Sequence, residues 1–145
     1  MATGPSNKIK YLLAIGAIDF STDTFKMILM ATGFVFNKDT HEGYADVLGS
    51  ELPTGNGYTV GGKPLTGVAV VENDTDDRAD ITYNNVTWTA SGGPIGPSPG
   101  AIIFDDTVTT PIADPILGYI DFGGDQTQAD GGVATIANLA ARISG

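Results

Sequence analysis

Residues 51–88 read ELPTGNGYTVGGKPLTGVAVVENDTDDRADITYNNVTW, a succession of strand-like runs separated by turn chemistry almost without a break. Tyr58-Thr59-Val60 follows Thr54-Gly55-Asn56-Gly57, and Gly61-Gly62-Lys63-Pro64 then turns the chain into Leu65 to Val71. The polar knot Glu72 to Arg78 turns it again, into Ala79 to Tyr83 and on to Val86-Thr87-Trp88-Thr89. β-Branched and aromatic runs bounded by Gly, Asn, Asp and Pro are the pattern of antiparallel strands joined by tight turns. No group in this stretch is placed to run a reaction.

The same reading extends in both directions. Lys10 to Phe20 and Thr24 to Met30 read as a hairpin turning at Ser21-Thr22-Asp23, whose side chains can bond nearby amides. In the second run Phe25, Met27 and Leu29 alternate with Lys26, Ile28 and Met30, so the strand is predicted to be buried on both sides or to lie at a subunit contact. Phe34-Val35-Phe36 reads as a third strand. Asp39 or Thr40 could cap a helix near residues 39–48, with His41, Tyr44, Val47 and Leu48 at helical spacing, cut short by Gly49 and Pro53. Ala90 to Gly100 is too rich in Gly and Pro for a central strand and reads as an edge segment or an extended arm. Ala101 to Phe104, Leu117 to Phe122 and Val133 to Leu139 complete the strands, with a long turn from Gly123 to Gly132. With no βαβ alternation, the prediction is an all-β fold: an antiparallel β-sandwich or flattened β-barrel with that one short helix. Residues 1–9 form an extended N-terminal leader and residues 10–145 a single β-domain.

A chain of 145 residues is one domain and buries roughly 68–70% of its unfolded surface. Cysteine is absent, which removes disulfides, thiolate metal sites and thiol nucleophiles. Seventeen acidic residues against seven basic ones give a net charge of −10, and the cations are scattered. A phosphate backbone needs clustered Lys and Arg, so nucleic acid is a poor partner. Tyr11-Leu12-Leu13-Ala14-Ile15-Gly16-Ala17-Ile18 is too short to cross a bilayer, and it reads as a buried first strand rather than a membrane or targeting segment.

The acidic knot Glu72 to Asp80 invites comparison with a calcium loop, but counting from Asp74 the places of the invariant glycine and the bidentate glutamate hold Ala79 and Asn85. A solvated turn is the simpler reading. His41 is the only histidine and no Gly-x-Ser-x-Gly elbow exists, so a Ser-His-Asp triad has little to stand on. Trp88 alternates with threonines and reads as core. No cofactor or metal site is predicted, and no catalytic residue.

Ile18-Asp19-Phe20-Ser21-Thr22-Asp23-Thr24-Phe25-Lys26, then Asn37-Lys38-Asp39-Thr40-His41, Glu51 to Gly62, Val86-Thr87-Trp88 and Gly118 to Gln126 resemble a family of small structural proteins encoded in tailed bacteriophage genomes. The resemblance runs from about Leu12 to Ala137. It implies a virion component, within that class a capsid cement or decoration protein on the outer capsid surface, commonly trimeric, with the major capsid protein as partner. Two alternatives stand beside it: a tail- or fibre-associated virion protein, and a carbohydrate-binding module stacking sugars on Tyr44, Tyr58 or Tyr83. The predicted contact residues are Thr3, Gly4, Pro5, Ser6, Asn7 and Lys8 in the leader. Gly92, Gly93, Pro94, Ile95, Gly96, Pro97, Ser98 and Pro99 in the arm join them, since both segments would offer free backbone groups for strand addition.

Overall fold

The computed structural model describes residues 4–137, and 141–144 as a strand. Among the described residues, ten strands, one α-helix and two 3₁₀ turns follow the order β1 (Gly4–Pro5), α1 (Asn7–Ala14), β2 (Phe25–Leu29), the 3₁₀ turns Tyr44–Asp46 and Leu48–Ser50, β3 (Lys63–Pro64), β4 (Ala69–Asn73), β5 (Arg78–Thr82), β6 (Val86–Thr89), β7 (Ile95–Asp105), β8 (Ile116–Gln128), β9 (Val133–Ile136) and β10 (Ala141–Ser144). The fold is all-β and every strand pair is antiparallel. Five strands form the central sheet in the order β1-β8-β7-β2-β3, open at two edges of two residues each; β10-β5-β4 and β6-β9 form smaller sheets. No helix among the described residues is long and apolar enough to cross a membrane.

Strand β2 carries buried side chains on both faces, as its double apolar alternation predicts. On one face Phe25, Met27 and Leu29 join Ala101 and Ile103 of β7, and Ile9 and Leu12 of α1 cover them together with Val86 and Trp88 of β6. On the other, Ile28 and Met30 meet Ile102, Phe104 and Tyr119 under Phe36 and Val47. In β8 the register passes from Ile103↔Gly118 to Phe104↔Ile116, so Leu117 is an extra residue. Such a bulge shifts which side chains face which way, and here it sends Leu117 to the first core and both Ile116 and Tyr119 to the second.

Several sequence expectations are corrected. Lys10 to Phe20 is not a strand: the Ser6 hydroxyl accepts from the Ile9 amide at 3.3 Å and caps a helix over Asn7–Ala14. That helix closes on Gly16 at φ +71°, with Ala17 N–H donating to Leu12 at 2.8 Å and Gly16 N–H to Leu13 at 3.1 Å. The leader therefore does not run on to residue 9. The helix near residues 39–48 is replaced by the two short 3₁₀ turns, because this segment is tied to the chain before β8: Tyr44 donates to Asp114 at 2.9 Å and Ile116 to Glu42 at 2.8 Å. A Cβ on Gly43 would lie 2.9 Å from the Ala113 carbonyl oxygen, which is why glycine stands there. Phe34 to Phe36 and Tyr58 to Val60 are irregular rather than extended in a ladder, and the turn expected at 123–132 shrinks to 129–132 because β8 runs on to Gln128.

The arm also reads differently. Ile95 to Pro99 is the first half of β7, with Ile95 opposite Gln128 and Ser98 opposite Gln126. Prolines 97 and 99 are tolerated because β2 pairs only with residues 101–105, leaving this half of β7 a ladder on one side. Gly100 lets Tyr119 lie across the sheet: a Cβ there would stand 2.3 Å from the phenol and 2.4 Å from the Ile120 carbonyl oxygen. Gly100→Ala is therefore expected to destabilise the protein by about 1–3 kcal/mol in urea unfolding. A loss within experimental error would mean that Tyr119 is not held there.

Candidate interaction surface

Two carboxylates are drawn into the interior, and both are tied structurally. Glu51 sits between the second core and the turn at Gly61. Its Oε1 accepts from the Tyr58 hydroxyl at 2.6 Å and from the Gly61 amide at 2.8 Å, and its Oε2 from the Tyr44 hydroxyl. Tyr58 in turn accepts from the Leu29 amide at 3.0 Å, so the knot fastens β2 to the 44–61 segment. Burial, then the bond to Glu51, pushes both phenols far above their usual range and keeps them as donors.

At the end of β7, Asp105 is 0% exposed. Its Oδ1 accepts from Thr107 N–H at 2.8 Å and Val108 N–H at 3.2 Å, while Oδ2 has no donor among the described residues. Burial pushes its carboxyl up to about 6; the Asp23 carboxylate pushes the same way, and the two amides pull back. Lys26 pairs with Asp106 at 3.0 Å nearby. A buried carboxylate with one oxygen lacking a donor, beside a second acid, is a cost of folding at neutral pH.

His41 is packed as an aromatic, its ring 5.4 Å from Phe34 and 5.8 Å from Phe36, with Nδ1 accepting from the Asn37 amide at 3.1 Å. Trp88 is core, tilted against Tyr58 at 5.8 Å. Tyr58 and Tyr83 are buried, so neither presents an open face to a sugar, and half-buried Tyr44 has one face stacked on Phe104 at 4.7 Å.

The predicted contact residues lie at two separate places. Thr3 is outside the described residues. Gly4 and Pro5 pair with Tyr119 and Gly118 as the edge of the central sheet. Ser6 is buried and donates to the Ile116 carbonyl at 2.6 Å, Asn7 bonds Asp39, and Lys8 faces Glu42 at 3.4 Å. In the arm, Gly92 N–H donates to Asp130 at 3.0 Å and the Asn56 amide to the Pro94 carbonyl at 2.9 Å, with Gly93 packed on Asn56. Ile95 and Ser98 are buried, Gly96 and Pro99 half-buried, and Gly92, Pro94 and Pro97 exposed. The premise of free backbone in the leader does not hold: the amides of Ser6 and Asn7 already donate to Leu117 and Lys38 at 2.9 and 3.0 Å.

A different surface carries an open, exposed strand edge. Strand β4 pairs with β5 without a register break from Ala69↔Thr82 to Asn73↔Arg78, and among the described residues nothing pairs with its other side. Ala69 to Glu72 are all exposed, with Val70 and Val71 at 50% and 53%. Glu72, Asp74, Asp76 and Asp77 crowd the tip, where Arg78 is engaged by Asp76 at 3.2 Å and Asp80 at 2.8 Å. The sequence held a signal for this edge: Ala69-Val70-Val71 has no polar alternate, the same two-faced pattern as β2, but here without a second layer over both faces.

The chain matches no protein-family model, and no curated protein or solved structure is found similar to it.

The acid pair sets a pH dependence with a definite sign. Between about pH 4 and 6 folded Asp105 holds a proton that the unfolded chain releases, so its contribution to stability falls as pH rises through that window and stays low above it. Asp105→Asn keeps the Oδ1 acceptor without the charge. It is expected to be more stable than the parent by about 1–3 kcal/mol at pH 7 and to lose most of that advantage below pH 4, as read by thermal melts. An advantage independent of pH would contradict the assignment.

Proposed function

We propose that this protein is a structural component of a tailed-bacteriophage particle, a head decoration or cement protein that binds the outer capsid surface and strengthens contacts between major capsid proteins. What carries the reading is the resemblance set out above, that of the stretches between about Leu12 and Ala137 to small phage structural proteins. The fold is in keeping with it. A sheet buried on both faces is a stiff body, its interior acids and its histidine are tied into packing, and its acidic exterior carries an open strand edge. Such a body adds contacts across a seam through shape and repetition, and many copies of a modest interface sum to a large resistance.

A homotrimer is part of the proposal, because the class of protein that the resemblance implies is commonly trimeric. Among the other readings, a tail or fibre protein would use the same edge at much lower copy number. The carbohydrate module is less well supported, since Tyr58 and Tyr83 are buried in the core and Tyr44 is half-buried with one face on Phe104.

Quantifying this chain against the major capsid protein in purified particles tests the reading. Decoration predicts a ratio comparable to the capsid protein; a handful of copies per particle points to tail or fibre, and absence from the particle overturns the virion role altogether.

A further inference from the structure

We infer that the outer edge of β4 is a strand-addition site for an extended, basic segment of a different protein. The inference takes from the proposed contact role only that a partner chain exists, and it adds which edge receives it and what chemistry it carries.

In an antiparallel ladder alternate residues turn their N–H and C=O toward the partner strand and the others away. The five residues of β4 therefore present a row of backbone donors and acceptors on the side opposite β5. Exposed edges of this kind are ordinarily blunted by Lys, Pro, a bulge, extreme shortness or a covering loop. The central sheet follows that practice, ending in two strands of two residues each. At β4, by contrast, the register is continuous, and Ala69-Val70-Val71 contains no charge and no proline. Because side chains alternate across a strand, Val70 and Val71 stand on opposite faces, and each is about half exposed. A strand laid on this edge would thus extend the ladder and cover apolar surface on both faces at once.

Charge selects among the possible occupants. The tip beside the valines carries the exposed acids Glu72, Asp74, Asp76 and Asp77, and its cation Arg78 is already shared between Asp76 and Asp80. The chain carries −10, and a second copy laid along this edge would set acid against acid at the tip. A segment with valine-like residues opposite Val70 and Val71, flanked by Lys or Arg reaching Glu72 and Asp74, meets attraction instead. Strand addition supplies affinity through the backbone and specificity through alternate side chains, which fits a partner tail that is extended before it binds.

The test uses the full chain and three blocked hexapeptides, followed by amide chemical shifts and hydrogen exchange. The first is Lys-Lys-Val-Val-Lys-Lys, the second replaces every Lys by Glu, and the third keeps all the Lys but replaces one Val by Pro. The first peptide should shift and protect amides within residues 69–73, bind at least about tenfold more tightly than the other two, and weaken with added salt. Val71→Asp separates the two contributions: attraction between charges alone predicts tighter binding of the first peptide, whereas strand addition over the valines predicts weaker binding. Equal binding of the proline peptide, or shifts centred away from β4, overturns the inference, and the wild-type comparison decides this even if Val71→Asp fails to fold. Self-association of the free chain that Val71→Asp abolishes also overturns it, making a second copy the occupant. A capsid-like copy number in particles with no peptide binding would remove this edge while leaving the proposed virion role standing.

Discussion

Phe25 to Leu29 must be covered from two sides, and most of the architecture follows from that demand. A half-buried strand places polar side chains toward water at every second position; β2 instead buries Phe25, Met27 and Leu29 on one face and Ile28 on the other, with Met30 continuing that second face. The first face is met by α1 and by the β6–β9 pair, the second by the irregular stretch from Phe34 through the 3₁₀ turns. Burial of such side chains is worth about 1.5–3 kcal/mol each, which makes a two-sided strand the most concentrated source of stability in a small domain. It also explains why two carboxylates and several tyrosines are drawn inward: they fasten the segments that serve as covers.

The fastenings have different qualities. Around Glu51, two phenols and an amide saturate the carboxylate, and the arrangement holds β2 to its second cover. Around Asp105 satisfaction is incomplete, with one oxygen lacking a donor and a second acid facing it. Such a corner is retained at a cost in stability, and it lies where β2 begins opposite the end of β7, next to the paired hydroxyls of Thr24 and Thr107 at 2.9 Å. Tyr119 shows how the close packing propagates: its phenol, raised to about 12 by burial and then by Asp121 and Asp125, lies over a strand that only glycine at position 100 leaves low enough.

Much of this was legible from residue order alone. The double apolar alternation of β2, the Val86-Thr87-Trp88-Thr89 strand with Trp88 inward, and the hairpin around Glu72 to Arg78 follow from side-chain period and turn chemistry. The helix over Asn7–Ala14 did not emerge, although its marks were present: Ser6 at the start, Gly16 at the end, and Ile9, Leu12 and Leu13 on one stripe. A continuous run such as Tyr11 to Ile15 satisfies helix and strand periods equally, and Lys8 and Lys10 oppose the usual charge preference of a first turn. Conversely, Asp39 to Leu48 has helical spacing but is overridden by its pairing with the chain before β8. The contact surface was the least legible part. Gly and Pro content marks segments that lack independent structure, but it does not tell whether another part of the same chain captures them, as β8 captures Gly4-Pro5 and Ile95 to Pro99.

The proposed role is adhesion, with the β4 edge as the proposed contact. Amide hydrogen exchange of the chain bound on purified particles, compared with the free chain, addresses it most directly. The account predicts slowed exchange confined to residues 69–73 and the adjoining acidic tip, with the two-sided core unchanged. Particle-bound protein whose β4 amides exchange as fast as in the free chain, with protection appearing elsewhere, would contradict it.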